Sequence, residues 1–152
     1  MSPFVRVSRF LVVPVIALAI PACSSPSQTG ATDNAAVEVT LEDFAVKPAT
    51  DSVAAGNVTF QVTNAGPRYP HELKVLKTDL EPAALPTGST GMLDQRGAGI
   101  ELVGEVAGMA EGESGELSVT LAAGNYILVC NVYDDNGAHF QQGMLTSFTV
   151  TG

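Results

Sequence analysis

The sequence predicts an all-β fold, a sandwich of short strands. Apolar and polar residues alternate with a period of two in run after run, the signature of strands with one face in a core. Gly, Pro and Asn punctuate the junctions, as in "AAGN", "NAGPRYP" and "AEGESGE", where a chain reverses direction. The 152 residues are 45% apolar, enough for one ordinary domain with a real core. Many short strands separated by turn signals argue a β-sandwich.

The elements follow in chain order. "VEVTLEDF" places Val37, Val39 and Leu41 on one face and Glu38, Thr40 and Glu42 on the other. "NVTFQVTN" turns Val58, Phe60 and Val62 inward and Thr59, Gln61 and Thr63 outward. "HELKVLK" groups His71, Leu73 and Val75, with Glu72 and Lys74 opposite. "TDLEPAALPTGSTGMLDQRGAGIELVGEV" breaks the pattern: it is Gly-rich and has no steady period. It is expected to be a long crossover between two halves, with a short helical turn near 81–85 and a loose strand near 100–106. "ELSVTL" turns Leu117, Val119 and Leu121 inward, and after a turn the strand Tyr126 to Cys130 is apolar on both faces. The closing run "MLTSFTVT" puts Met144, Thr146, Phe148 and Val150 on one side. There is no internal repeat.

The formal charge is −9. Arg6 and Arg9 are the only charged residues ahead of Cys23, so without them 5 basic residues face 16 acidic ones, a net of −11. Such a surface repels nucleic acid and anionic lipid headgroups. It suits basic protein partners or plain solubility.

The N-terminus reads as a targeting signal. A short stretch with two arginines precedes "FLVVPVIALAI", an apolar run of eleven residues. That run is short for a bilayer span and fits the apolar part of a signal peptide over residues 1–22. "IPACSSPSQTG" resembles a bacterial lipobox, with aliphatic Ile20 three before Cys23 and small Ala22 just before it. Cleavage there leaves Cys23 as a lipidated N-terminus, anchoring the chain to a cell membrane on its outer or periplasmic side. The alternative is a secretory signal cut nearby, with Cys23 incidental. Either way the domain is exported. Residues 23–36 are rich in Ser, Thr, Gly, Pro, Asn and Ala without an apolar period, so they are expected to form a flexible tether ahead of a folded domain over 37–152.

The chain holds two Cys and two His. With Cys23 carrying lipid, Cys130 has no disulfide partner, and a lone thiol outside the cytosol is open to oxidation. Metal ligation is one explanation; a buried structural thiol at a strand end is the other. His71, Cys130, His139 and Met144 supply two imidazoles, a thiolate and a thioether, the donor set of a type 1 copper ion. His71 opens a strand, Cys130 ends one, and His139 and Met144 lie in the loop before the last strand, so one pole of a rigid sandwich can gather all four. Gln141 and Gln142 are alternative axial donors. Met92 and Met109 are assigned no ligand role. "YDDN", Tyr133 to Asn136, reads as a solvated turn or as an acidic docking patch for a basic redox partner.

"AAGNVTFQVTNAGPRYPHEL", "LAAGNYILVCN" and "HFQQGM" resemble the cupredoxins, the small blue copper proteins, over most of Val37–Thr151. The resemblance implies a Greek-key β-sandwich and one type 1 copper ion, held by His71, Cys130, His139 and an axial Met144. It implies a non-enzymatic monomeric carrier of single electrons with a redox partner, and His139 as the exposed ligand through which electrons leave. Two features depart from the family. Eight residues separate Cys130 from His139, more than in its small electron carriers. Glu72 follows His71, where many members have an Asn that ties the ligand loops together. Copper delivery, storage or sensing on the same fold is a second reading, disfavoured by the lack of a Met-rich or His-rich tract. A metal-free binding module at the cell surface is a third.

Overall fold

In the computed structural model, residues 34–152 are described. The leader, Cys23 and the tether up to residue 33 lie outside the described residues. Eleven strands follow in chain order: β1 (Ala35–Glu42), β2 (Ala45–Pro48), β3 (Ser52–Ala54), β4 (Gly56–Asn64), β5 (His71–Lys77), β6 (Glu101–Met109), β7 (Ser114–Leu121), β8 (Gly124–Val129), β9 (Tyr133–Asp134), β10 (Gly137–Ala138) and β11 (Leu145–Thr151). β1 begins at Ala35, inside the segment read as tether. One sheet has the order β2-β1-β4-β7 and the other β3-β11-β8-β5-β6, while β9 and β10 form a separate hairpin. β1 lies parallel to β4, and β11 parallel to β3. The other pairs are antiparallel.

The alternation read from the sequence becomes the core between the sheets. Val37, Val39, Leu41, Val58, Phe60 and Val62 face Leu73, Val75, Leu128, Phe148 and Val150. Phe60 meets Phe148 edge to face, with ring centroids 5.7 Å apart, the arrangement that ring quadrupoles favour.

The crossover is more than a connection. Leu85 and Leu93 from it pack with Leu76, Ile127, Val129 and Phe140 into a second apolar cluster on the outer face of β5 and β8. This explains why "YILV" is apolar on both faces: the strand is buried on both, as sheets covered on two sides require. The helical turn near 81–85 is a 3-10 turn over Pro82–Ala84. The strand expected near 100–106 is the longer β6, paired along β5. The two-residue strands β9 and β10 and three-residue β3 are too short to show a period, so alternation gives no sign of them.

Lys74 also belongs to the outer face. It is 5% exposed and its ammonium reaches Glu72 at 3.2 Å and also Glu105. Burial pulls its pKa down, but the two carboxylates outweigh this and leave it raised.

Phe60→Ala is expected to lower folding stability by about 3–5 kcal/mol. Urea unfolding should show the midpoint fall with the denaturant slope unchanged.

Candidate metal centre

Three elements of the chain meet at one pole of the sandwich. His71 is the first residue of β5. Cys130 follows the last residue of β8. His139 opens a 3-10 turn, His139–Gln142. Gly143 ends that turn at φ +100°, a left-handed conformation that glycine adopts without strain. It brings the Met144 N–H to the His139 carbonyl at 3.1 Å, while the Cys130 N–H donates to the Met144 carbonyl at 3.0 Å. The Met144 backbone thus joins two of the donor residues, and its side chain is fully buried. Gln141 and Gln142 are exposed, and Gln142 Nε2 donates instead to the Asn136 carbonyl at 2.9 Å.

The loop before His71 is held by Asn64, which is fully buried. Its Nδ2 donates to the carbonyls of Tyr69 (2.9 Å) and Met109 (3.0 Å), and its Oδ1 accepts from the Gly66 N–H (3.0 Å). Gly66 lies so close to the site that a Cβ there would stand 2.6 Å from Asp43 Oδ1 and 2.9 Å from His71 Nε2.

Both imidazoles turn Nδ1 inward. His71 Nδ1 and His139 Nδ1 are 3.2 Å apart, and Cys130 Sγ lies 3.8 and 3.6 Å from them. Nitrogens at about 2.0–2.1 Å and a sulfur at about 2.3 Å from one zinc-sized ion, at trigonal to tetrahedral angles, stand about 3.3–3.8 Å apart. The three side chains are therefore placed to hold one metal ion.

Proton counting supports the same conclusion. His71 Nε2 faces Asp43 Oδ1 at 3.4 Å, and His139 Nε2 faces Asp134 Oδ2 at 3.1 Å. A carboxylate only accepts, so each pair needs the ring proton on Nε2. A neutral imidazole has one such proton. Both are then committed outward, and two buried Nδ1 lone pairs confront each other. The Cys130 S–H, 3.6 and 3.8 Å away, can serve only one of the two; a metal cation serves both at once. Carboxylate–imidazole–metal chains of this kind orient ligating histidines in many metal sites.

The ionisation directions agree. Burial pushes the Cys130 thiol up to about 11, against the backbone N–H groups of Glu72 and Val132 that draw it down. Burial also lowers the His71 pKa despite the Asp43 hydrogen bond, which keeps the ring neutral and ready to ligate. The hydrogen bond from His139 holds the Asp134 carboxyl below its usual range.

Two expectations change. His139 is not an exposed ligand: its side chain is 0% exposed. Phe44 and Tyr69 stack against it edge-on at 5.3 and 5.8 Å, and Asp134 closes its Nε2. Phe44 holds its place at φ +64°, a backbone region costly for a bulky residue. Glu72, in contrast, does tie the ligand loops. Its Oε1 accepts the Asn131 N–H at 3.2 Å, directly after Cys130, while the Asn131 side chain clamps the Leu93 backbone in the crossover (2.8 and 3.1 Å).

Asp43, Phe44, Tyr69 and Asp134 escaped the sequence reading of the site. "YDDN" is a tight hairpin turn, with Tyr133 and Asp135 exposed, but Asp134 folds back onto His139. The Asn136-Gly137 pair was the available signal, since such dipeptides mark two-stranded hairpins. Nothing in the sequence places Asp43 beside His71, 28 residues away.

No family model matches the chain, and no curated protein does. Solved structures do. The chain is similar to dithionite-reduced auracyanin from the photosynthetic bacterium Roseiflexus castenholzii, with 17% identity, a TM-score of 0.56, and coverage of 78% of this chain and 98% of that one. Auracyanin A, a "blue" copper protein from Chloroflexus aurantiacus, matches with 19% identity and a TM-score of 0.53 over 78% of this chain and 99% of that one. Rusticyanin from Thiobacillus ferrooxidans matches with 15% identity and a TM-score of 0.50 over 76% and 77%. At these identities the likeness is one of fold.

Metal uptake must displace the Cys130 proton. With that thiol pushed to about 11, apparent affinity for a soft metal should rise about tenfold per pH unit through neutrality and level off above about pH 11. Titration of the metal-free chain at fixed pH should release at least one proton per ion, and release of none contradicts the assignment. Gly66→Ala should leave the chain folded but weaken metal binding about 10–100-fold, as read by competition with a chelator, because its methyl forces Asp43 from His71.

Proposed function

The chain has the cupredoxin fold, and we propose that it is an exported blue copper protein that passes single electrons by cycling one ion between Cu(II) and Cu(I). The observation that carries this reading is the convergence of two inward Nδ1 atoms on the Cys130 thiol in a fully buried pocket. Thiolate and imidazole donors with a thioether nearby suit copper, whose two oxidation states accept this mixed soft set. Copper, when bound, supplies the electron exchange. His71, Cys130 and His139 would hold it, and the buried thioether of Met144 would be a fourth donor.

The chain's own residues make the cycle easy. β5 and β8 are packed on both faces, so the ligands have little freedom to shift when the charge on the ion changes. The closed pocket keeps water from the thiolate. Burial holds His71 neutral, so its ligand atom stays available. No substrate is turned over. A redox partner protein accepts or donates the electron, and the acidic surface, −11 without the two leader arginines, favours a partner with basic docking residues.

The placement of the chain belongs to the same reading. Residues 1–22 act as a signal peptide, Cys23 carries the lipid, and the residues between Cys23 and β1 tether a monomeric domain that begins at β1, Ala35, to the outer or periplasmic face of a membrane. Among the described residues no helix is long and apolar enough to cross a bilayer.

Copper delivery would need a ligand group that an acceptor can reach. The complete burial of both imidazoles favours retention of the ion instead.

Adding Cu(II) to the purified chain should give an intense visible thiolate-to-copper band and a reversible one-electron wave. Cys130→Ser should abolish the band. A wild-type chain that binds no copper supports a metal-free binding module, and rapid copper transfer without a reversible wave supports delivery. Separately, the chain should partition into detergent and Cys23→Ser should leave it in the aqueous phase.

A further inference from the structure

The segment between Cys130 and His139 folds as the β9–β10 hairpin, with Asp134 opposite Gly137 and Tyr133 opposite Ala138. Its effect is chemical as well as spatial. From this hairpin Asp134 turns back and takes the outer nitrogen of His139 at 3.1 Å. On the other ligand, Asp43 faces the outer nitrogen of His71 at 3.4 Å.

The two carboxylates are not equivalent. Asp43 Oδ2 accepts from Arg68 Nε at 3.0 Å, so a guanidinium already offsets its charge. Asp134 accepts from the Asn136 N–H at 2.7 Å and from Asn136 Nδ2 at 3.4 Å, both neutral donors. Among the described residues no Lys or Arg pairs with Asp134; its partner is the neutral His139 ring. Asp134 is also the shorter of the two imidazole contacts.

We propose that Asp134 is a positioning residue of the metal centre, which fixes His139 with Nδ1 toward the ion and biases the ion toward its oxidised state. The inference rests on the copper reading above. A carboxylate on the far nitrogen raises the basicity of the ligating one, and its negative charge attracts Cu(II) more than Cu(I) across the buried His139 ring. Both effects lower the reduction potential. Asp43 acts in the same sense on His71 but less, because Arg68 offsets it and the contact is longer. The insert that lengthens the Cys-to-His loop therefore replaces a solvent-facing imidazole edge with a covered, carboxylate-bound one.

The test uses the copper-loaded chain and the variants Asp134→Asn, Asp134→Glu and Asp43→Asn. Asparagine keeps an acceptor oxygen and removes the charge. The Asp134→Asn chain should favour Cu(I) over Cu(II) about tenfold more than wild type, a rise of about 59 mV for one electron. Asp43→Asn should give a smaller rise, and Asp134→Glu should return the potential toward wild type. In the wild-type Cu(I) form, which is diamagnetic, ring nitrogen–proton correlations should place the His139 proton on Nε2. An unchanged potential in Asp134→Asn with its visible band intact, or a larger effect from Asp43→Asn, overturns the proposal while leaving the copper site standing; a His139 proton on Nδ1 overturns the ligand assignment and this proposal with it. Absence of a thiolate-to-copper band in the wild type overturns the copper reading itself, and this proposal with it.

Discussion

Two neutral imidazoles own two N–H protons, and the pocket at the pole of this sandwich calls for three. The tautomer that satisfies both Asp43 and Asp134 puts each ring proton on the outer nitrogen, and in that tautomer the inner nitrogens, 3.2 Å apart, face each other with lone pairs. In bulk water such a contact would relax by rotation. Here both rings are fully buried, and Phe44 and Tyr69 limit rotation of His139. The Cys130 S–H can relieve one lone pair but not both, whereas a metal ion meets both nitrogens and the sulfur together. The preference for a metal ion thus follows from the surroundings of the histidines as much as from the histidines themselves.

The remainder of the fold keeps that arrangement from relaxing. β5 and β8, which deliver His71 and Cys130, are gripped between the central core and the cluster beneath the crossover. Asn64 pins the loop before His71. Glu72 and Asn131 pin the chain after Cys130 to β5 and to the crossover at once. Buried polar groups that are fully paired in this way rigidify their surroundings. A ligand set that hardly moves costs little reorganisation when one electron arrives or leaves, so the packing and the proposed chemistry demand the same property.

The strands that carry the core were legible because burial on one face writes a period of two into the sequence, as in Val58, Phe60 and Val62. The grouping of His71, Cys130 and His139 was legible because Cys and His are scarce in this chain and fall at strand ends or in the loop before β11. The covered state of His139 was not, because burial there comes from Phe44, Tyr69 and Asp134, three residues on two loops and a hairpin. The work of Glu72 was half legible: the position after His71 stood out, but not that its side chain would reach the Asn131 N–H from β5. The crossover was misjudged for a related reason. Leu85 and Leu93 bury single side chains from an irregular segment, and single contacts leave no period.

The sequence by itself determined the all-β class, the facing core residues and the identities of the candidate donors, because these depend on local alternation and on residue chemistry. Only the tertiary structure decided that both rings point Nδ1 inward, that Asp43 and Asp134 hold them there, and that the long loop closes over His139. Those outcomes depend on contacts between residues far apart in the chain, or on the direction in which a hairpin folds back. Neither is set by any local pattern of residues.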